Sequence, residues 1–325
     1  MTIYDIAAEA GVSASTVSRV INNKSGVKPS TKKMVEALLA KYNYSPDQAA
    51  RGLVCKNSRM IGILVSDIRN QHYTEGAYII GQAFLEKGYC ALIFNTGSEN
   101  EKKAEYVRLL SERKVEGAVF IGSTFQAEEV KEAVSKYLSG IPVVMANGSI
   151  DLGNISSVTA DEEGGVAEAV RYLSSKGKRR IIYLDGEDTP SNRLKRRGYL
   201  SAMASLGLEA EVHAAANSYE GGLEAMSEIL DEESDVDGVM CAVDLIAVGA
   251  LRAATDRGLK VPDEISFIGV DNSPYASYSN PRLTTVDTHL HELSLCSARN
   301  LLEAVAGHEV VRKIIIPSEL VVRES

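Results

Sequence analysis

The sequence predicts an α/β chain with two unlike parts. An N-terminal three-helix, helix-turn-helix module is followed by a bilobal core of two parallel, doubly wound subdomains. Three observations carry this. Residues 3–21 read IYDIAAEAGVSASTVSRVI, two short helical periods broken by Gly11. From Met60 apolar strands alternate with amphipathic helices, the mark of a parallel sheet. After Asp161 the alternation repeats, and Val115-Glu116-Gly117-Ala118-Val119 is echoed by Val236-Asp237-Gly238-Val239-Met240. Such a repeat implies two like lobes with a cleft between them.

Taken in order, Thr2 is placed to cap a first helix whose inward face is Ile3, Ile6, Ala7 and Ala10, with Asp5 near the positive end of the helix dipole and Gly11 free to take the left-handed stop. Ser13 is a second N-cap, and Thr16, Val17, Val20 and Ile21 continue a helical period until Asn22-Asn23. Pro29-Ser30 opens a third helix with Met34, Val35, Leu38 and Leu39 apolar on one side and Lys32, Lys33 and Lys41 polar. Three helices of this length bury little surface, so the module is expected to be only marginally stable alone. Ser45-Pro46-Asp47-Gln48 starts a further short helix that Gly52 weakens, which reads as a conditional hinge over 46–58.

In the core, MIGILVSD, CALIFNT, EGAVFIGS and PVVMAN are strand-like in the first half, and RIIYLDG, DGVMCAV and ISFIGVDN in the second. The division expected is 1–45 for the helical module, 46–58 for the hinge and 59–325 for the core. Within the core, the first lobe takes about 59–160 plus a crossover near 287–310, and the second about 161–286 plus 311–325. Ligands of open parallel sheets bind beyond the carboxyl ends of the strands. The loops facing the cleft should therefore hold Ser66-Asp67, Asn95, Ser123, Asn147, Asp185, Asp244 and Asp271-Asn272.

Charge separates the parts. Residues 1–58 hold eight basic and four acidic side chains, although the whole chain has a formal net charge of -9. A basic module ahead of an acidic body suggests a polyanion partner for the module alone. Cys55, Cys90, Cys241 and Cys296 are far apart without paired spacing, which points away from zinc or a disulfide framework and towards a reducing compartment. With no signal-peptide pattern and no apolar run of about 20 residues, a cytoplasmic location and no membrane association are expected. Neither a glycine-rich phosphate loop, a metal-ligand motif nor a nucleophile elbow is present. His289-x-His291 lacks a third ligand, and Ser111-x-x-Lys114 matches a catalytic pair by chance at a helix end. No catalytic residue, metal or cofactor is expected.

IYDIAAEAGVSASTVSRVINN, KYNYSPDQAARGL, MIGILVSD, VEGAVF, DEEGG, RRGYLSAM, GVDN and PRLTTV together resemble the LacI/GalR family of bacterial transcription regulators, over essentially the whole chain. The resemblance implies a periplasmic-binding-protein-like core and a regulator, expected to be a repressor of carbohydrate-related genes, that grips a palindromic double-stranded DNA operator as a homodimer. It implies that Ala14, Ser15 and Arg19, at the start of a recognition helix capped by Ser13, read bases. Tyr4, Thr16, Ser18 and Asn22 would hold phosphates. Ala50 and Leu53, in Ala49-Ala50-Arg51-Gly52-Leu53, would meet the minor groove, the leucine levering apart a base step. For a small-molecule effector, a sugar or sugar phosphate, it points to Asp67, Tyr73, Asp161, Lys195 and Asp271. Lys195 stands where relatives usually place arginine, a role Arg193 could substitute, and Val243 stands where they often carry asparagine. A protein co-regulator is compatible with the family. The final residues carry no heptad tail, so a dimer rather than a tetramer is expected. Two other readings share the bilobal core: a soluble solute-binding protein, usually exported, and a sugar-processing enzyme.

Overall fold

The computed structural model describes residues 2–21, 24–44, 58–232 and 235–325. The chain divides into two compact units, Met1–Ser58 and Arg59–Ser325. Asn22, Ala50 and Leu53 lie outside the described residues, as does the expected hinge apart from Ser58.

The first unit contains α1 (Ile3–Glu9), α2 (Ala14–Ile21) and α3 (Pro29–Lys41). Thr2 caps α1 reciprocally with Asp5. The Asp5 amide donates to Thr2 Oγ1 at 3.3 Å, and the Asp5 carboxylate accepts from the Thr2 amide at 2.7 Å. Gly11 takes φ +61°, so the chain reverses without a Cβ penalty, and Val12 N closes the turn on Ala7 O at 3.0 Å. Ile6, Ala7, Ala10, Val17, Val20 and Val35 form the small core, and Lys41 and Tyr42 fasten the end of α3 to Glu9 at 2.9 and 3.0 Å. Met34, expected on the buried side of α3, is instead 43% exposed. One helical step of 100° separates it from Val35, and a module this small has room to bury only one of them.

The second unit holds two six-stranded sheets. The first runs β11-β5-β4-β3-β1-β2, every pair parallel, from Met60–Val65 (β1), Cys90–Asn95 (β2), Gly117–Ile121 (β3), Val143–Ala146 (β4), Ile155–Ala160 (β5) and Lys313–Ile316 (β11). The helices of this lobe are Gln71–Glu86 (α4), Asn100–Glu112 (α5), Glu128–Tyr137 (α6) and Leu290–Val305 (α12). The second runs β12-β10-β9-β8-β6-β7, from Ile181–Asp185 (β6), Glu211–Ala214 (β7), Gly238–Cys241 (β8), Ser266–Val270 (β9), Thr284–Asp287 (β10) and the antiparallel edge Glu319–Val321 (β12). Its helices are Glu162–Ser175 (α7), Pro190–Leu206 (α8), Tyr219–Asp231 (α9), Asp244–Asp256 (α10) and Pro274–Tyr278 (α11).

The strand over 313–316 corrects the expected division. Assigned to the second lobe by position, β11 pairs with β5 in register Lys313↔Ser157 and so closes the edge of the first sheet. Only β12 returns to the second lobe, where Val286 faces Leu320. A short apolar strand carries no mark of which sheet edge it completes, since either offers a row of unpaired backbone groups. The chain therefore passes between the lobes three times: after β5, after β10, and between β11 and β12.

Close helix packing sets the second lobe's cleft wall. A Cβ added at Gly198 in α8 would stand 2.3 Å from the Glu163 carbonyl in α7, so the two helices touch backbone to backbone there. That contact fixes Glu162 and Lys195, one residue before Glu163 and three before Gly198. Among the described residues no helix is long and apolar enough to cross a membrane.

Candidate functional site

The first unit presents a polar face at the start of α2. Tyr4 (72% exposed), Ser13, Ser15 and Arg19 are open to solvent, while Ala14, Thr16 and Ser18 are half-buried. Ser13 Oγ lies 2.8 Å from Ser15 Oγ and 2.9 Å from Thr16 Oγ1, and accepts from the Thr16 amide at 3.3 Å. The capping serine thus organises a row of hydroxyls at the positive end of the helix, where anions are favoured. Ala14 packs partly against the core beneath, leaving a methyl as its only readable group. Arg19 reaches towards the following turn, since a Cβ at Gly26 would meet its Nη1 at 3.5 Å. The exposed Lys24, Lys28 and Lys33 add positive charge to the same unit. Short hydroxyls, a guanidinium fork and ammoniums suit a phosphate backbone and base edges.

Between the lobes of the second unit lies a cavity of about 1450 Å³. The carboxyl ends of the strands line it: Ser66-Asp67, Asn95, Ser123, Asn147, Asp244 and Asp271-Asn272 all face it. Asp185 does not; it is buried at the end of β6, with Arg196 on it at 2.8 Å.

Lys195 is a buried cation of the second lobe's wall. Its Nζ donates to the Ala242 carbonyl at 3.1 Å and lies 3.7 Å from Glu162 Oε1. Burial pushes the ammonium down, but the carboxylates of Glu162 and Asp271 outweigh it, and the net direction is up. Glu162 also accepts from Ser191 Oγ at 2.6 Å and from Asn147 Nδ2 at 3.1 Å. The Asn147 bond crosses the cleft, as does the bond from the Ser191 amide to Ser123 Oγ at 3.1 Å. Asp244 is fully buried and accepts from the Ser273 amide (2.7 Å), Ser273 Oγ (2.8 Å) and Thr285 Oγ1. Burial, with the nearby Asp271 charge, pushes its carboxyl up to about 7 against those bonds.

The expected effector residues divide. Lys195, Asp271 and Tyr73 come together on the inner wall. Asp271 adopts φ +106°, in the left-handed region, and has His72 Nδ1 at 3.8 Å. Tyr73 packs against Gly122, where a Cβ would come within 2.8 Å of the ring; burial raises its phenol against a hydrogen bond with Ser66. Asp67 lines the cleft but is engaged by Arg69 at 2.7 Å, which holds its carboxyl below the usual range. Arg193 sits at the rim, paired with Asp188 at 2.9 Å.

Asp161 is a correction: it is exposed, caps α7 by accepting from the Gly164 amide at 3.0 Å, and does not line the cavity. Its neighbour Glu162 takes the inward position. The sequence Asp161-Glu162-Glu163 offers three adjacent carboxylates, and only the rotation of the helix selects which one faces in. The sequence places Asn147 in a loop facing the cleft but carries no mark of its partnership with Glu162. Ser191 was missed altogether, and the one available signal was its place just after the Thr189-Pro190 helix start.

Comparison with known proteins agrees with this geometry. Residues 2–47 match the family of bacterial regulatory proteins, lacI family, and residues 170–325 match the periplasmic binding protein-like domain. Catabolite control protein A of Priestia megaterium is 31% identical over 331 residues, covering 100% of this chain and 99% of that protein. The structure of the lac repressor dimer bound to operator and the anti-inducer ONPF aligns with a TM-score of 0.91 at 27% identity, over 100% of this chain and 98% of that one. The transcriptional regulator CelR in complex with cellobiose aligns with a TM-score of 0.73 at 26% identity, over 100% and 99% of the two chains. A helix-turn-helix module with an exposed, hydroxyl-rich second helix thus precedes a bilobal cleft in one chain, and the protein belongs to the LacI family of bacterial transcription regulators.

Proposed function

We propose that the protein represses genes of carbohydrate use, binding a palindromic operator as a homodimer and answering to a sugar-like effector in the cleft. The observation that carries this is the cross-cleft set Asn147–Glu162–Ser191–Ser123. A ligand entering there must replace or bridge those bonds, and so act on the closure of the two lobes. Ala14, Ser15 and Arg19 read bases, Tyr4, Thr16, Ser18 and Asn22 hold phosphates, and Ser13 caps the recognition helix. Ala50 and Leu53 enter the minor groove. Lys195, Asp271 and Tyr73 hold the effector, and Asp67 and Arg193 flank it.

Dimerisation follows from the short reach of one recognition helix, since two half-sites about 10 base pairs apart multiply the contacts. In the first lobe Tyr78 and Leu85 on α4, with Ile93 on β2, expose large apolar side chains that a second copy would cover. We infer that the protein acts in the cytoplasm, where its DNA lies.

The test is genomic footprinting of purified protein at stated salt, paired with a chain lacking residues 1–58. Palindromic footprints that vanish on truncation, while sugars still raise the melting temperature of the truncated core, support the proposal. A full-length protein that protects no genomic fragment, with or without a cell extract of small molecules, overturns it. The absence of any catalytic role is part of the same reading: incubation with the bound sugar should return it unchanged.

A further inference from the structure

Resting on the reading of the cleft as an effector site, we infer that its ligand is an amino sugar carrying a protonated ammonium, and that phosphorylated sugars are rejected. Nine carboxylate side chains line the cavity against four from lysine or arginine, with His72, His289 and His291 also facing it. Every one of those four cations is already committed. Arg69 is held by Asp67 at 2.7 Å and Arg193 by Asp188 at 2.9 Å, both towards the outside. Lys103 donates to the Thr124 carbonyl at 2.8 Å and stands over the Phe125 ring. Lys195 is sealed in the wall, spent on the Ala242 carbonyl and Glu162.

A phosphate needs converging donors that are not otherwise satisfied. Here it would have to break an existing pair and enter a field of surplus negative charge. The inner wall shows the surplus most plainly, because Glu162 and Asp271 both draw on the ammonium of Lys195. Among the described residues, the basic side chain within 4 Å of the Asp271 carboxylate is His72, at 3.8 Å, which leaves that carboxylate the open anion of the wall. The Asp271 side chain is only 18% exposed, and a largely buried carboxylate favours a cation over a neutral partner. Hydroxyls of the sugar ring would find Asn147 and Asn272, while Val243 offers an isopropyl group where an amide would have accepted or donated another bond. The ammonium is assigned to Asp271 and the ring to the neighbourhood of Tyr73.

The experiment is isothermal titration of the full-length protein near neutral pH with D-glucosamine, D-galactosamine and D-mannosamine. Each is set beside its parent hexose, its N-acetyl derivative and its 6-phosphate. The expected result is that at least one amino sugar binds about tenfold or more tightly than both its parent and its N-acetyl form, with the 6-phosphates weakest. Asp271→Asn should erase that preference, so that amine and parent bind alike. The wild-type panel decides the matter even if this variant misfolds. Tightest binding by a 6-phosphate, or equal binding of amine and parent, overturns the inference and leaves the cleft a sugar site. Failure of the whole panel to bind overturns it too; if the truncated core then also ignores every sugar in the melting test, the reading of the cleft falls with it.

Discussion

The Lys195 ammonium and the Glu162 carboxylate lie 3.7 Å apart with both side chains almost sealed from solvent, on helices α8 and α7 that touch at Gly198. At that distance the pair is held by charge rather than by a direct hydrogen bond, and each partner satisfies its remaining capacity elsewhere. Removing the cation alone strands buried negative charge, which costs more than the pair itself contributes. Lys195→Met is therefore expected to lower stability by about 3–5 kcal/mol. Glu162→Gln keeps an oxygen for Ser191 and Asn147 and should lose less. The double variant should recover much of the loss of Lys195→Met, and urea unfolding of the four proteins measures this coupling directly. A double variant as unstable as the sum of the singles would show the two groups to be independent.

Asp244 makes the stability of the second unit depend on pH in an unusual direction. Its folded carboxyl is raised to about 7 from an ordinary value of 3.8, so between those limits the native state holds a proton that the unfolded chain has lost. The contribution of this group is present in full below about pH 4 and disappears as pH rises towards 7. Carboxylates held low, such as Asp67, Glu163 and Glu211, act in the opposite sense and lose their contribution only on acidification. The measurable quantity is thus a difference: stability of the wild type minus that of Asp244→Asn, followed by denaturant unfolding from about pH 4.5 to 8. That difference should fall as pH rises and then level off above 7. A flat difference would show that Asp244 keeps an ordinary carboxyl.

Legibility in the sequence tracks how local the determining interaction is. Thr2, Asp5, Gly11 and Ser13 act within one helical turn, and the structure gives each of them the capping or turning role read from sequence. The long apolar strands β1, β3 and β9 announce themselves for a related reason, being buried on both faces. By contrast β5 (ISSVTA), β7 (EVHA) and β10 (TTVD) mix polar residues into short runs. The edge strand β7 stays partly exposed, and the burial of β10 depends on distant partners, Thr284 with Ser325 and Thr285 with Asp244. The same distinction explains the site. Asp271 and Lys195 stand in motifs, whereas the exchange of Asp161 for Glu162 rests on the rotation of α7, which packing at Gly198 sets together with the Asp161 cap on Gly164.

Gly198 accordingly offers a test of how the wall is held. A methyl there would overlap the Glu163 carbonyl, which is backbone and cannot swing away. Gly198→Ala is expected to push α7 and α8 apart, lowering stability by about 1–3 kcal/mol and disturbing the spacing of Glu162 and Lys195. Thermal unfolding should show a lower melting temperature together with weaker effector binding. An unchanged melting temperature would mean that the two helices are free to separate at little cost.

Arg19 separates base reading from phosphate holding on the DNA face. It is exposed, and its guanidinium reaches over the turn at Gly26, with no carboxylate paired to it among the described residues. If it grips guanine through both O6 and N7, replacing it by alanine should cost about 1–3 kcal/mol and relax preference at one base pair in each half-site. Lysine in its place would keep the charge but lose the planar fork, so it should restore general affinity without restoring that preference. A phosphate contact behaves otherwise: alanine weakens all sequences alike and lowers the slope of binding against salt, while lysine restores nearly everything. Binding of an operator series to wild type, Arg19→Ala and Arg19→Lys at several salt concentrations distinguishes the two, and the base-reading role requires that the lysine variant remain indifferent to the substituted pair.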